Sequence, residues 1–126
     1  MTKSLVIALA QLNAHLGNLA GNIDRLVTAR AKAAKDGAAV IVTPEMYLSG
    51  YPCDDLVLRD DFMGEIAAGI AQLAEITSDA GPAIIVGAPH AENGHIFNSV
   101  FVLDAGQITA RRDKVNLPNY GVFDDK

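Results

Sequence analysis

Two short, uncharged apolar runs flank one amphipathic stretch near the start of this chain, and that arrangement constrains the fold more than any other feature. Residues 5–12 and 38–43 are rich in Val, Ile, Leu and Ala and read as buried strands. Between them, residues 19–35 place Ile23, Leu26, Val27, Ala31 and Ala34 on one face of a helix, with Asp24, Arg25, Arg30 and Lys32 largely off it. Asn18 or Asn22 can cap its start, Lys32 and Lys35 suit its last turns, and Gly37 supplies a stop. Strand, helix and strand with short joints form a βαβ-like unit, which places the chain in the α/β class.

The remaining pattern extends this unit. A second amphipathic helix begins near Asp60-Asp61, with Phe62, Ile66, Ile70, Leu73, Ala74 and Ile76 as its apolar positions, and residues 78–82 end it. Residues 83–87, 96–103 and 107–112 read as strands. Residues 88–94 read as a polar loop, and Asp104-Ala105-Gly106 as a three-residue hairpin with a left-handed glycine. The connection over residues 44–60 is long but carries Met46, Tyr47, Leu48, Tyr51, Leu56, Val57 and Leu58, which argues against disorder and for a functional loop with a short helix near residues 55–59.

Bulk properties narrow the partners. A chain of 126 residues is about one domain. A net charge of −5 and the lack of a basic stripe argue against nucleic acid and anionic membrane. No apolar run reaches membrane-spanning length, and the apolar start lacks a small-residue cleavage site. One cysteine, Cys53, excludes a disulfide framework and fits a reducing compartment, so a cytoplasmic protein is expected.

Few residues carry chemistry. Glu45 stands directly behind the strand ended by Thr43-Pro44, where ligand sites of helix-flanked sheets collect. Lys114 ends the last strand; taken alone it reads as a solvated lysine, but in one pocket with Glu45 it could hold an oxyanion while the carboxylate acts as a base. His90, Glu92 and His95 match no standard zinc spacing and read as a surface turn, so no metal site is expected. His15 reads as a surface or satisfied histidine, and Arg111-Arg112 as a solvated edge. Cys53 precedes Asp54-Asp55, which oppose thiolate formation. No phosphate-binding glycine loop occurs.

Pro44-Glu45 followed by Ser49-Gly50-Tyr51-Pro52, together with Lys114 before Leu117-Pro118, resembles the nitrilase, or carbon–nitrogen hydrolase, superfamily. Residues 52–59 (Pro52-Cys53-Asp54-Asp55 to Arg59) and Leu117-Pro118-Asn119-Tyr120-Gly121-Val122-Phe123-Asp124 are similar to the N-terminal glutaminase domains of glutamine-dependent NAD synthetases. Gly37-Ala38 and Asn98-Ser99 also fit. The resemblance implies an α-β-β-α sandwich, of which this chain is expected to be the N-terminal portion, incomplete at its C-terminal side. It implies Glu45 as general base, Lys114 as the group that steadies the tetrahedral intermediate, and Tyr51, Tyr120 and Phe123 as lining of the glutamine pocket.

The implied reaction is release of ammonia from glutamine through a cysteine thioester. A synthetase domain then uses the ammonia, with ATP and magnesium, to amidate nicotinate adenine dinucleotide; the glutaminase step itself needs no cofactor. Two positions depart from the family pattern. The family's cysteine lies on a later strand than any in this chain, and Cys53 matches a non-catalytic loop position, so the chain alone is expected to be inactive. Asp125 stands where the family has an accessory glutamate. Strand edges and apolar faces awaiting partners imply that the isolated chain self-associates, aggregates or needs its missing half, and the protein is expected to be a homo-oligomer. A stand-alone nitrilase-type amidase and a non-catalytic interaction module on the same fold stay open on these residues.

Overall fold

The computed structural model describes residues 4–50 and 59–114. Its elements are β1 (Ile7–Leu9), α1 (Leu19–Lys35), β2 (Val40–Val42), α2 (Asp60–Ile76), β3 (Ala83–Glu92), β4 (His95–Asp104) and β5 (Gln107–Asp113), with a 3-10 turn over Thr77–Asp79. The strands form one five-stranded sheet in sequence order. β1, β2 and β3 run parallel, as the helical crossovers require, and β3, β4 and β5 form an antiparallel meander.

Both helices pack on one face of this sheet. Ile41, Ile84, Val86, Ala88, Phe101 and Leu103 point toward Ile23 and Leu26 of α1 and Phe62, Ile66, Ile70 and Leu73 of α2, forming one buried cluster. Alternation along the strands sends Ile7, Leu9, Val40, Val42, Ile85, Val100 and Val102 to the opposite face. No element among the described residues packs there, and Ile7 and Leu9 are 51% and 70% exposed. One helix layer on one sheet is the first half of the expected α-β-β-α order. Among the described residues no helix is long and apolar enough to cross a membrane.

The helix ends follow local chemistry. Asn18 accepts a hydrogen bond from the Gly21 N–H at the start of α1. At its end Gly37 adopts φ +82°, Ala38 N–H donates to Ala33 O, and Gly37 N–H donates to Ala34 O, a Schellman motif. Asp60 and Asp61 occupy the first turn of α2, where they complement the helix dipole.

The structure corrects several expectations. α1 buries Asn22, Arg30 and Ala33, whereas Ala31 and Ala34 face outward. Arg30 lies inside because its guanidinium donates to Pro82 O at 2.9 Å and to both Asp79 oxygens at 3.0 and 2.7 Å. β1 is shorter than residues 5–12 and forms the exposed sheet edge, and β2 is shorter than residues 38–43. Residues 88–92 continue β3 rather than forming a loop, and Asn93 (φ 52°) and Gly94 (φ 80°) make a tight two-residue turn into β4. The next turn is also two residues, with Ala105 and Gly106 both left-handed and Asp104 paired with Gln107. A bulge on β5 follows, where Thr109 is the extra residue between Ile108 and Ala110.

Candidate active site

The site begins where β2 ends. Thr43 N–H still pairs with Ile85 O at 2.9 Å, but Pro44 has no N–H to continue the ladder, and the Thr43 hydroxyl oxygen takes over by accepting from Gly87 N–H at 3.0 Å. The chain then turns across β3 on the face away from the helices. Gly87 makes this crossing possible: a β-carbon there would stand 2.5 Å from Pro44 O, 2.7 Å from Met46 N and 3.0 Å from the Glu45 α-carbon. Met46 takes a left-handed φ of 52°, and Leu48 N–H returns to Gly87 O at 3.0 Å. Met46, Tyr47, Leu48, Ser49 and Gly50 are buried, whereas Pro44 and Glu45 are exposed.

Beneath this turn lies Asn22, fully buried on α1. Its side-chain amide donates to His15 O at 2.9 Å and Leu48 O at 3.0 Å, and its oxygen accepts from His15 N–H at 2.9 Å. The Tyr47 hydroxyl donates to Asn22 O at 2.7 Å. Burial raises that hydroxyl above the usual phenolic range, with Arg25 opposing, so it stays a neutral donor. Gly17 N–H reaches Ser49 O at 2.9 Å, and a β-carbon on Gly50 would strike the Leu16 backbone. Asn22 thus ties the loop after β1 to the loop after β2. Its apolar neighbours in α1 are the signal that could have marked it as buried rather than as a cap. His15 lies exposed, with Nδ1 2.9 Å from Arg25 Nη2, as expected of a satisfied surface histidine.

Glu45 meets Lys114. The ammonium donates to Glu45 Oε1, joining residues 69 positions apart in sequence. Both side chains are about half exposed, at 55% for Glu45 and 43% for Lys114. Lys114 follows β5, and its N–H donates to Asn98 O at 2.8 Å, one step beyond the Ser99–Asp113 pair. The pair therefore bridges the end of β2 and the end of β5 across the outer face of β3 and β4. A carboxylate and an ammonium in contact can accept a proton and hold a developing negative charge within one small volume.

Other sequence candidates separate from this pair. His90 and Glu92 lie on β3 rather than on a turn, and both engage Arg111, at 2.6 Å from His90 Nε2 and at 3.4 and 3.5 Å from the Glu92 oxygens. Arg111 is consequently half-buried on the helix side and not a solvated edge, whereas Arg112 is exposed. Among the described residues no group of three or more His, Cys, Asp or Glu is placed to hold a metal ion. Tyr51, Cys53, Tyr120, Phe123 and Asp125 lie outside the described residues.

Residues 6–125 match the family model for carbon–nitrogen hydrolases. The chain belongs to the carbon–nitrogen hydrolase family. It is 38% identical over 125 residues to the glutamine-dependent NAD(+) synthetase of Acinetobacter baylyi, covering 98% of this chain and 23% of that protein. It is 36% identical over 124 residues to that of Thermotoga maritima, covering 98% of this chain and 21% of the relative. The solved glutamine-dependent NAD+ synthetase of Acinetobacter baumannii, in complex with ADP, superposes on 96% of this chain and 23% of its own, with a TM-score of 0.85 and 36% identity. An amidase from Nesterenkonia sp. gives a TM-score of 0.86 at 25% identity, over 97% of this chain and 48% of its own. One solved form of the Nesterenkonia amidase, in complex with acrylamide, has a glutamate replaced by glutamine and a cysteine replaced by alanine. The chain thus spans less than a quarter of the synthetases it resembles and about half of the amidase.

Proposed function

We propose that this carbon–nitrogen hydrolase chain is the N-terminal portion of the glutaminase domain of a glutamine-dependent NAD synthetase, with Glu45 and Lys114 in its catalytic centre. The observation that carries the reading is the Glu45–Lys114 contact, made by the two side chains that end β2 and β5. Identity of 36–38% to the synthetases against 25% to the amidase favours glutamine as the amide over another substrate. An amidase acting on a different small amide is the second reading, supported by the near-equal structural likeness.

In the proposed reaction Glu45 takes the proton from a cysteine thiol contributed by the part of the domain beyond this chain. The thiolate attacks the side-chain amide carbon of glutamine, and its carbonyl oxygen becomes an oxyanion held by the Lys114 ammonium. Collapse breaks the carbon–nitrogen bond, and the leaving nitrogen takes the proton from Glu45 and departs as ammonia. Glu45 then takes a proton from water, which attacks the thioester; collapse breaks the carbon–sulfur bond, and the sulfur takes the proton back from Glu45 as glutamate leaves. Tyr51, Tyr120 and Phe123 line the glutamine pocket in this reading, with Asp125 in the role of the family's accessory glutamate. The glutaminase step needs no cofactor. ATP and magnesium belong to the synthetase domain, which consumes the ammonia to amidate nicotinate adenine dinucleotide in the cytoplasm, the whole enzyme being a homo-oligomer.

The test is ammonia release from glutamine by the full-length protein carrying this chain. Release that Glu45→Gln abolishes is expected. Undiminished release by Glu45→Gln refutes the assignment, and turnover of other amides with none of glutamine selects the amidase reading.

A further inference from the structure

Lys114 stands just past the end of a strand with no further neighbour among the described residues, the place where backbone frays most readily. A lysine that must hold an oxyanion needs a fixed backbone, and the opposite face of the same strand carries a clamp. Ser99 and Asp113 are the last paired residues of β4 and β5 before Lys114. Ser99 is fully buried, and its hydroxyl donates to Asp113 Oδ1 at 2.6 Å. Arg111 Nη2 donates to Asp113 Oδ2 at 3.3 Å, and its Nε lies 3.2 Å from Asp113 Oδ1. Arg111 is in turn held by His90 Nε2 and Glu92, and the His90 ring packs edge-on against Phe101, centroids 5.9 Å apart.

We infer that Ser99, Asp113 and Arg111 form a positioning network that fixes Lys114 against Glu45, an inference that rests on the catalytic reading above. Alternation along β5 sends Asp113 toward the helices and Lys114 to the other face, so anchoring both oxygens of Asp113 sets the backbone from which the Lys114 side chain departs. The network touches no reacting atom. Partly exposed ion pairs add little to stability, so its effect is expected on turnover more than on folding.

The test uses the full-length enzyme, with glutamine hydrolysis and ammonia-supported synthesis measured in parallel. Asp113→Ala is expected to lower kcat for glutamine hydrolysis about tenfold or more, to leave KM for glutamine within about twofold, and to spare ammonia-supported synthesis. Ser99→Ala moves kcat in the same direction by less. Asp113→Asn, which keeps an acceptor for Ser99, recovers most of the loss. If Asp113→Ala does not fold, Ser99→Ala decides, since it removes a single buried oxygen. A kcat for glutamine within about twofold of the parent in Asp113→Ala, or at the parental value in Ser99→Ala where Asp113→Ala does not fold, overturns the network, as does equal loss of both activities. Lys114→Ala separates the two levels. Glutamine hydrolysis that survives it refutes the catalytic reading itself, whereas hydrolysis lost in Lys114→Ala but unchanged in Asp113→Ala refutes only the positioning role.

Discussion

Replacing Gly87 by alanine tests how the sheet delivers Glu45. The new methyl group would meet three backbone atoms, at 2.5 Å from Pro44 O, 2.7 Å from Met46 N and 3.0 Å from the Glu45 α-carbon. Ordinary carbon contacts begin near 3.5 Å, so the turn must retreat by about 1 Å, and no flexible side chain is there to yield. Overpacking of this kind costs about 1–3 kcal/mol, and weakening the hydrogen bonds of Gly87 with Thr43 and Leu48 adds about 1 kcal/mol each. The local cost is then about 3–5 kcal/mol, which corresponds to amide exchange over residues 43–50 that is faster by roughly a hundredfold to several thousandfold. A displacement of 1 Å at Glu45 is expected to lower glutamine hydrolysis about a hundredfold. Hydrogen exchange by mass spectrometry and an ammonia-release assay on the full-length protein read the two effects. Gly64→Ala is the control: its new methyl group would enter open space on the exposed side of α2, and it is expected to stabilise by about 0.5–1 kcal/mol. Gly87→Ala with parental exchange and parental hydrolysis would refute the argument that the close crossing sets the base.

Three further outcomes follow from the same contacts. Asn22→Ala leaves the Leu48 and His15 carbonyls and the His15 N–H without their buried partner, and is expected to cost about 3 kcal/mol, seen by calorimetry as a lower transition for this domain. Hydrogen bonds from Arg30, aided by Gly81 N–H, hold the Asp79 carboxyl at a pKa of about 2 against an ordinary 3.8. A depressed carboxylate stabilises the fold above its unfolded pKa and loses that contribution as pH falls through the folded one. The difference in thermal midpoint between the parent and Asp79→Asn is therefore expected to be full above pH 3.8 and to vanish near pH 2, and a constant difference over that range would contradict the pairing. The 126-residue chain by itself, with Ile7 and Leu9 exposed on the outer sheet face among the described residues, is expected to self-associate in sedimentation, and a monodisperse monomer would count against that.

The helices were legible because their signals are local. Asn18 and Gly37 bracket α1, Asp60-Asp61 opens α2, and the apolar spacing of α2 matches its buried face. The β3–β4 hairpin carried a local signal too, the Asn93-Gly94 pair, but His90, Glu92 and His95 around it made the segment look like a loop. His90 and Glu92 belong to β3 because Arg111, across the sheet, accommodates them, and His95 opens β4. Long-range contacts were not legible. Arg30 looks solvated until Asp79, 49 residues away, and the Pro82 carbonyl enclose it. The Asn22 amide looks like a cap until Leu48 and His15 surround it. Glu45 and Lys114 could each be suspected from a place at a strand end, and the family resemblance joined them. What pattern alone withheld was Gly87, whose missing side chain admits the turn that carries Glu45.

In the proposed function Glu45 and Lys114 serve glutamine hydrolysis and nothing else in the larger enzyme. The measurement that bears on it most directly compares glutamine-supported with ammonia-supported NAD synthesis in full-length Glu45→Ala and Lys114→Ala proteins. Glutamine-supported synthesis should fall to background in both, with ammonia-supported synthesis at the parental rate. Retention of the glutamine-supported reaction, or loss of both reactions together, would contradict the roles assigned to the pair.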